Sequence, residues 1–164
     1  MIFLTVGTQF PFDRLVKLID EMSGQNGFKE KIFAQIGHSS YQPRNFESVP
    51  SLESHLFAKY MREASCAIGH AGIGTITMAL DYNKPLLVMP RLKKYGEAVN
   101  NHQLDIARKF EQDGYLLAAY DVGELPAKIE KLKSFVPGKR QSQAKALAER
   151  ISIFLNELSK SKSN

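Results

Sequence analysis

Short apolar runs alternate with helical patterns along this chain, and the alternation restricts the possible folds more than any other feature. The runs "IFLTV" (residues 2–6), "CAIGH" (66–70) and "PLLVMP" (85–90) are each followed by a segment with helical spacing of apolar residues. A continuous apolar run is typical of a strand buried on both faces, as in parallel sheets. Strands that alternate with helices predict an α/β fold with a doubly wound parallel sheet.

Weaker signals extend this alternation along the whole chain. The segments "KIFAQI" (31–36) and "YLLAAY" (115–120) have the composition of strands, and a short strand is expected near 46–49. Helical spacing of apolar residues occurs in six segments: 13–22, 51–64, 74–83, 104–114, 121–135 and 138–160. Asp13 is the expected N-cap of the first helix, and Gly114 is the expected C′ residue of the fourth.

The length of 164 residues suits one domain with its own core. We expect that domain over residues 1–158 and a flexible tail over 159–164. In the last predicted helix, apolar residues cover more than one face, which is common in elements that bind a partner. Packing entirely within this domain is the alternative for that helix.

Basic residues exceed acidic ones, which gives a formal net charge of +5 and a pI near 9.3. This excess suits an anionic partner such as a phosphate-bearing ligand, a membrane surface or nucleic acid. A solvated lysine-rich surface is the alternative explanation. Because the basic residues are scattered and no aromatic RNP-like strand motif occurs, we expect no nucleic-acid partner.

Cysteine usage and the N-terminus bear on the compartment. The one cysteine, Cys66, excludes a disulfide framework and a multi-cysteine zinc site, and it lies in an apolar run as a small buried hydrophobe would. The first residues carry no basic leader, and no run approaches the ~20 apolar residues of a membrane-spanning helix. We therefore expect a cytoplasmic protein that only another molecule would bring to a membrane.

Three loops are expected to follow the carboxyl ends of strands, where open parallel sheets bind ligands. They span residues 7–9, 69–75 and 90–103 and should open on the same side. The second loop, "GHAGIGT", combines glycines with the start of a helix, whose backbone N–H groups attract anions such as phosphate. A branched side chain at Gly72 is therefore expected to block an anion with little loss of stability.

The spacing of this second loop separates it from better-known phosphate motifs. It matches neither the dinucleotide G-x-G-x-x-G nor the P-loop, so NAD and ATP lose support as ligands. Thr75 can add a hydroxyl donor, and His70 can add a ring N–H. Tight packing between strand and helix is the structural alternative for such a turn.

The third loop is rich in side chains that form hydrogen bonds. Its polar and charged members are Arg91, Lys93, Lys94, Tyr95, Glu97, Asn100, Asn101, His102 and Gln103. Amides that both donate and accept, beside a carboxylate that accepts, suit a polyhydroxylated ligand such as a sugar. The alternatives are a solvated face for the basic residues and an asparagine N-cap for "NNHQ". No histidine pair has metal-ligand spacing and no H-E-x-x-H motif occurs, so we expect no metal site. No G-x-S-x-G elbow for a serine nucleophile occurs either.

Three motifs in register resemble the glycosyltransferase family 28 C-terminal domain: "MIFLTVGTQFPFDRLV", "IGHAGIGTITMAL" and "PLLVMPRLKKYGEAVNNHQLDIA". The chain is more similar to the stand-alone form of that domain. This form includes the catalytic subunit of the split eukaryotic dolichol-linked N-acetylglucosaminyltransferase and bacterial capsule and exopolysaccharide counterparts. The stretch "PRLKKYGE" is similar to the bacterial branch.

The resemblance implies the Rossmann-like C-terminal half of a GT-B glycosyltransferase that is divided between two chains. This chain would bind a UDP-sugar without a cofactor or metal, and a membrane-anchored subunit would bind a lipid-linked acceptor. The enzyme would invert the anomeric centre, with its general base on the partner subunit, so no catalytic residue is assigned here. The implied nucleotide-sugar-binding residues are Gly7, Thr8 and Gln9 in the first loop, His70, Ala71, Gly72, Gly74 and Thr75 in the second, and Arg91, Glu97, Asn100, His102 and Gln103 in the third.

Two positions depart from the family pattern. Gly69 stands where many relatives have a serine, and Met78 stands where several have a glutamate that binds ribose hydroxyls, which leaves the ribose contact open. Ser54 and His55 fall near the implied uracil contact. The expected function is the donor-binding subunit of a two-component transferase in polysaccharide synthesis. The alternative is a non-enzymatic nucleotide-binding regulatory module with a similar sheet.

Overall fold

Six parallel strands form a sheet in the structure, a computed structural model that describes residues 1–139. The strands are β1 (Ile2–Thr5), β2 (Ile32–Gln35), β3 (Glu47–Val49), β4 (Cys66–His70), β5 (Leu86–Met89) and β6 (Leu117–Ala118). The helices are α1 (Asp13–Gly24), α2 (Ser54–Glu63), α3 (Ile73–Asp81), α4 (His102–Gln112) and α5 (Leu125–Leu132), with short 3-10 helices at Lys93–Tyr95 and Val122–Glu124. The predicted C-terminal helix, apart from its first residues, and the predicted tail lie outside the described residues.

The strands follow the order β3-β2-β1-β4-β5-β6, and every neighbouring pair is parallel. The chain builds outwards from β1 to β3 and then returns to the other side of β1 with β4. The direction of winding therefore reverses between β1 and β4, where Thr5 lies beside Gly69. This topology confirms the predicted doubly wound, Rossmann-like sheet.

Helices cover both faces of the sheet, which explains why its strands are apolar at consecutive positions. In β1, Ile2 and Leu4 join the core beneath α1 and α5, whereas Phe3 joins the core beneath α2, α3 and α4. None of the three is more than 7% exposed. Burial of a large apolar side chain contributes about 1.5–3 kcal/mol, so packing from two sides holds the central strand in place.

The start of α1 differs from the predicted one. Phe12 occupies the N-cap position, and no side chain within the described residues caps the helix. The Asp13 carboxylate accepts hydrogen bonds from Ser39 Oγ at 2.6 Å and from Ser40 N at 3.1 Å instead. The prediction of Asp13 as N-cap is wrong because this carboxylate has donors in the loop after β2, which it ties to α1.

The ends of α4 follow the predicted chemistry with a small shift. The helix begins at His102, two residues before the predicted start, and Asn100 Oδ1 accepts from the His102 amide at 3.1 Å. This contact satisfies a first-turn donor and extends the helix beyond the apolar pattern. Gly114 has φ of 72°, which confirms the left-handed C′ residue. Within residues 1–139, no helix has the length and apolar character needed to cross a bilayer.

Candidate functional site

The three predicted loops follow β1, β4 and β5, so they lie together at the carboxyl ends of the parallel strands. Because the chain winds in opposite directions from β1 and β4, the loops after these two strands diverge and leave a crevice between them. In open α/β sheets, ligands bind in such a crevice. The fold therefore brings the predicted loops to the place where a ligand is expected.

The turn after β4 presents free backbone at the N-terminus of α3. Gly72 is the N-cap, and no side chain within residues 1–139 caps the helix. Gly74 is exposed, and a Cβ built there meets no described atom within 4 Å. The first amides of a helix lack internal acceptors and carry partial positive charge. The main chain at Gly74 is therefore uncovered on its Cβ side within residues 1–139, beside amides that attract anions.

His70 is packed between two glycines beside this turn. The residue is 9% exposed. A Cβ at Gly72 would lie 2.2 Å from its Nε2, and a Cβ at Gly7 would lie 3.0 Å from its Cε1. Both glycines thus make room for the imidazole ring. The expectation that a branched side chain at Gly72 would cause little loss of stability is wrong, because its Cβ would displace the buried ring.

The His70 ring is neutral at physiological pH. Burial, the largest cause, and the charge of Arg91 lower the pKa of the imidazole to about 4, and the main chain of Thr5 offsets only part of this effect. Its Nδ1 is buried without a hydrogen-bond partner in the described part of the chain. His70 therefore supplies shape at the crevice, whereas the backbone of α3 supplies the positive potential.

The first loop is held by Gln35, which no sequence motif identifies as part of the site. Gln35 is 2% exposed, and its Oε1 accepts from Thr5 Oγ1 at 2.7 Å and from Gly7 N at 3.2 Å. Its Nε2 donates to Gly7 O at 3.0 Å. A glutamine at the end of an otherwise apolar strand is the signal that could have found it. Thr8 and Gln9 follow this anchored glycine and are exposed at the edge.

Arg91 turns inward at the start of the third loop. It is 3% exposed, and its Nη2 donates to the main-chain oxygens of Val6 and Phe10. Its backbone N–H donates to Gln103 Oε1 at 3.0 Å. This bond fixes the orientation of the Gln103 amide. The Nε2 group, which has no hydrogen bond within residues 1–139, is then the part of Gln103 that remains able to donate.

Glu97 is also buried, at 5% exposed, and its carboxylate is hydrogen-bonded within the protein. Its Oε1 accepts from Arg14 Nε at 2.9 Å, and its Oε2 accepts from Arg14 Nη2 at 2.9 Å and from Leu92 N at 3.0 Å. A sugar contact for Glu97 stays a prediction, with both carboxylate oxygens already bonded. Arg14 is missed by sequence reasoning because 83 residues separate it from Glu97.

The other predicted site residues differ in exposure. Ala71 and Thr75 are buried in the turn, at 0% and 7% exposed. Asn100 and His102 are exposed, with Asn100 Oδ1 in contact with His102 Nδ1. Their roles in binding stay predictions, and the exposed pair is the more accessible to a ligand.

The residues implied near the ribose and uracil lie on α3 and α2. Met78 is half-buried and lines a shallow cavity of about 410 Å³ with Ile73, Gly74, Thr77, Asp81 and Tyr82. Ser54 and His55 are exposed at the start of α2. The strand before this helix is β3, and β2 and β1 lie between β3 and β4 in the sheet. Within residues 1–139, no three histidine, cysteine, aspartate or glutamate side chains are grouped to hold a metal ion.

Residues 1–157 match the sequence model of the glycosyltransferase family 28 C-terminal domain. The chain is 29% identical over 157 residues to the "UDP-N-acetylglucosamine transferase subunit ALG13" of Homo sapiens, a match that covers 87% of this chain and 13% of the relative. It is 38% identical over 93 residues to the subunit of the same name in Eremothecium gossypii, covering 52% of this chain and 43% of the relative. The matched part is therefore less than half of each relative's length.

Two solved structures share the fold. The NMR solution structure of ALG13 gives a TM-score of 0.59 at 22% identity and covers 92% of this chain and 93% of that one. The crystal structure of MurG from Acinetobacter baumannii gives a TM-score of 0.58 at 20% identity and covers 82% of this chain and 42% of that one. With residues 1–157 matched by the family model, the chain belongs to the glycosyltransferase family 28 C-terminal domain family, as its three motifs predict.

Proposed function

We propose that this chain is the donor-binding subunit of a two-component glycosyltransferase that transfers a sugar from a UDP-sugar to a lipid-linked acceptor. The observation that carries the proposal is the open N-terminus of α3 in the crevice between β1 and β4 of a family 28 domain. Relatives named UDP-N-acetylglucosamine transferase subunits support a UDP-sugar as the donor.

In this proposal, the donor diphosphate binds to the amides that begin α3. Gly74 leaves the space for this approach. During transfer, the bond between the anomeric carbon and the diphosphate oxygen breaks, and the acceptor hydroxyl oxygen forms the new bond. Negative charge then develops on the departing UDP, and amides already in position stabilise that charge. The main chain, rather than a charged side chain, thus stabilises the leaving group.

The third loop contacts the sugar in this proposal. Gln103 has its Oε1 bonded to Arg91 N, so its Nε2 is oriented as a donor. Asn100 and His102 add exposed hydrogen-bonding groups at the start of α4. Donors and acceptors of this kind suit the hydroxyl groups of a sugar.

The acceptor and the general base belong, in this proposal, to a second, membrane-anchored subunit. That base would take the proton of the acceptor hydroxyl. We place the chain at the inner face of a membrane, held there by this subunit, and the net charge of +5 suits an anionic surface. A role in capsule or exopolysaccharide synthesis rests on the similarity of "PRLKKYGE" to the bacterial branch.

Substitution of Gly74 by valine tests the donor site. The new Cβ meets no atom of residues 1–139 within 4 Å, so we expect the fold to be kept while the side chain blocks the first amides of α3. UDP and UDP-N-acetylglucosamine should bind about tenfold more weakly by calorimetry, or about 1.4 kcal/mol. Gly123→Val is the control, because Gly123 follows β6 and its Cβ would make only an ordinary contact of 3.5 Å. Unchanged affinity in folded Gly74→Val would contradict the placement.

Transfer itself requires the complete enzyme. We would search the neighbouring genes for one that encodes a single-span protein, co-express that protein with this chain and assay the membranes with a panel of UDP-sugars. The proposal predicts transfer only when both chains are present. Tight UDP-sugar binding without transfer under any combination would favour the non-enzymatic nucleotide-binding module instead.

A further inference from the structure

Arg14 ties α1 to the loop between β5 and α4. It lies in the first turn of α1, and its guanidinium donates two hydrogen bonds of 2.9 Å to Glu97. Its Nη2 also lies 3.4 Å from Pro90 O, and its Cζ lies 4.7 Å from the centre of the Tyr95 ring. One side chain thus contacts three points of that loop.

The ion pair between Arg14 and Glu97 is largely buried, so it should fix the structure of the loop more strongly than an exposed ion pair would. The side chains of Arg14 and Glu97 are 18% and 7% exposed. The Glu97 carboxylate also accepts from Leu92 N at 3.0 Å, so it organises the main chain of the loop. An exposed pair contributes little, whereas two parallel hydrogen bonds to a carboxylate specify a geometry.

Arg91 connects the same two regions in the opposite direction. It lies in the loop after β5, and its guanidinium donates to the main-chain oxygens of Val6 and Phe10 in the loop between β1 and α1. Both guanidinium groups lie near the buried Phe12 ring, with the Cζ of Arg14 at 5.3 Å and that of Arg91 at 5.6 Å from its centre. The loops after β1 and β5 are therefore joined from both sides at the sheet edge that forms the crevice.

We propose that Arg14 is a positioning residue for the donor sugar, and that Glu97 acts by holding Arg14 rather than by touching the sugar. The inference rests on the proposed function, which assigns the sugar to this loop. Both Glu97 oxygens are bonded within the protein, whereas the loop that they hold carries Asn100 and leads into Gln103. A loop fixed before binding loses less conformational entropy when the sugar binds.

A second carboxylate provides a matched control. Glu111 accepts from Lys128 Nζ at 2.7 Å and from Ala118 N at 3.0 Å, the same arrangement of cation, carboxylate and backbone amide. The side chains of Lys128 and Glu111 are 23% and 27% exposed. These residues join α5, α4 and β6 at the end of the sheet beyond β5, away from the crevice between β1 and β4. Lys128→Gln therefore breaks a similar contact outside the proposed site.

Amide hydrogen exchange, followed by NMR, examines the loop without any ligand. Arg14→Gln should speed exchange of the Leu92 amide about tenfold through easier local opening and leave the Ala118 amide unchanged. Lys128→Gln should do the reverse. Thermal unfolding establishes that the variants are folded, and Arg14→Lys, which keeps the charge but not the planar fork, replaces Arg14→Gln if that variant fails to fold. Unchanged Leu92 exchange in the folded variant overturns the inference.

Calorimetry with UDP and UDP-N-acetylglucosamine then examines sugar binding. Arg14→Gln should weaken UDP-N-acetylglucosamine about fivefold more than UDP, because only the sugar depends on the positioned loop. Glu97→Gln should have the same effect, and the double variant should lose no more than either, because both changes remove one interaction. Additive losses would mean that Glu97 contacts the sugar itself and would overturn the inference.

Two further outcomes separate the possible causes. Full recovery of binding in Arg14→Lys would point to long-range attraction for the diphosphate, and it would also overturn a positioning role. A wild-type chain that binds neither nucleotide refutes the proposed function. Wild-type binding of both, with the same affinities in Arg14→Gln, refutes only the inference about Arg14.

Discussion

The two loops that flank the proposed sugar and diphosphate positions are built in opposite ways. Residues 71–75 after β4 contain no charged side chain and leave the main chain open at Gly74. Residues 90–103 after β5 are rich in charged and amide side chains, yet Arg91 and Glu97 are buried and hold the loop in place. One loop leaves its backbone exposed, and the other uses much of its polar chemistry for its own structure.

This difference separates two requirements for binding. A backbone site needs space, because every residue except proline carries an amide and glycine leaves the most room around it. A side-chain site needs hydrogen-bonding capacity that remains unused after folding, since buried polar groups are normally bonded within the protein. By that criterion, Gln103 Nε2, Asn100 Nδ2 and His102 Nε2, which have no hydrogen bond within residues 1–139, are stronger candidates for sugar contacts than Glu97.

The largest expected effect comes from His70, the buried side chain beside the open turn. Its pKa is lowered to about 4 in the folded protein, whereas an unfolded histidine titrates near about 6.5. The unfolded chain therefore binds a proton first as the pH falls. The stability linked to His70 is fully present above about pH 6.5 and decreases by about 3 kcal/mol as the pH falls to about 4. Denaturant unfolding at a series of pH values measures this slope.

The matched variant for this measurement is His70→Gln. It removes the titrating group, so the slope between the two pKa values should flatten. Carboxylates such as Asp13 and Asp20 have pKa values lowered below 3.8 in the folded protein and do not account for the upper part of that range. If His70→Gln keeps the wild-type slope, another group causes the pH dependence of stability. The contrast between the buried His70 ring and the open turn at Gly74 would then be unsupported.

A smaller effect is expected from alanine at Gly72. Its backbone angles, φ −86° and ψ 132°, suit any residue, so strain is not the cause. The new Cβ would lie 2.2 Å from Nε2 of His70, and forcing the ring to move should cost about 2 kcal/mol. Gly74→Ala should instead stabilise α3 slightly, by up to about 1 kcal/mol, because alanine favours a helix more than glycine does. Equal losses in denaturant unfolding would refute the different roles given to the two glycines.

Much of the fold is predictable because a strand buried on both faces has a recognisable apolar sequence. A run such as residues 2–6 is apolar at consecutive positions because helices cover both faces of the sheet. Alternation with helices then implies parallel strands, whose carboxyl ends share one edge. For this reason the loops that contain Gly7, Gly72 and Gln103 could be assigned to one edge without a structure.

The partners of individual polar side chains are not predictable in the same way. Asp13 has the local sequence of an N-cap but bonds to Ser39, and Arg14 meets Glu97 across 83 residues. Such contacts depend on sheet register and on loop paths, which no local pattern encodes. Glycines are ambiguous for the same reason, because the sequence indicates that space is needed without showing whether a ligand or a neighbouring side chain occupies it.

The smallest expected effect concerns Gln103, which tests whether unused hydrogen-bonding capacity identifies a sugar contact. Gln103→Ala should weaken UDP-N-acetylglucosamine more than UDP, by about 0.5–1.5 kcal/mol or a few-fold in affinity, because Nε2 would donate to a hydroxyl that UDP lacks. Alanine also removes the acceptor for Arg91 N, so Gln103→Glu is the control that keeps this acceptor and loses the donor. Because glutamate also adds a negative charge, its effect is read as the difference between the losses for UDP-N-acetylglucosamine and for UDP. If donation to the sugar matters, both variants show the sugar-specific loss, and slow exchange of the Arg91 amide in Gln103→Glu confirms that the loop is still anchored. Normal binding in Gln103→Glu would assign Gln103 to loop anchoring, and equal losses for both nucleotides in Gln103→Ala would place it outside the sugar pocket.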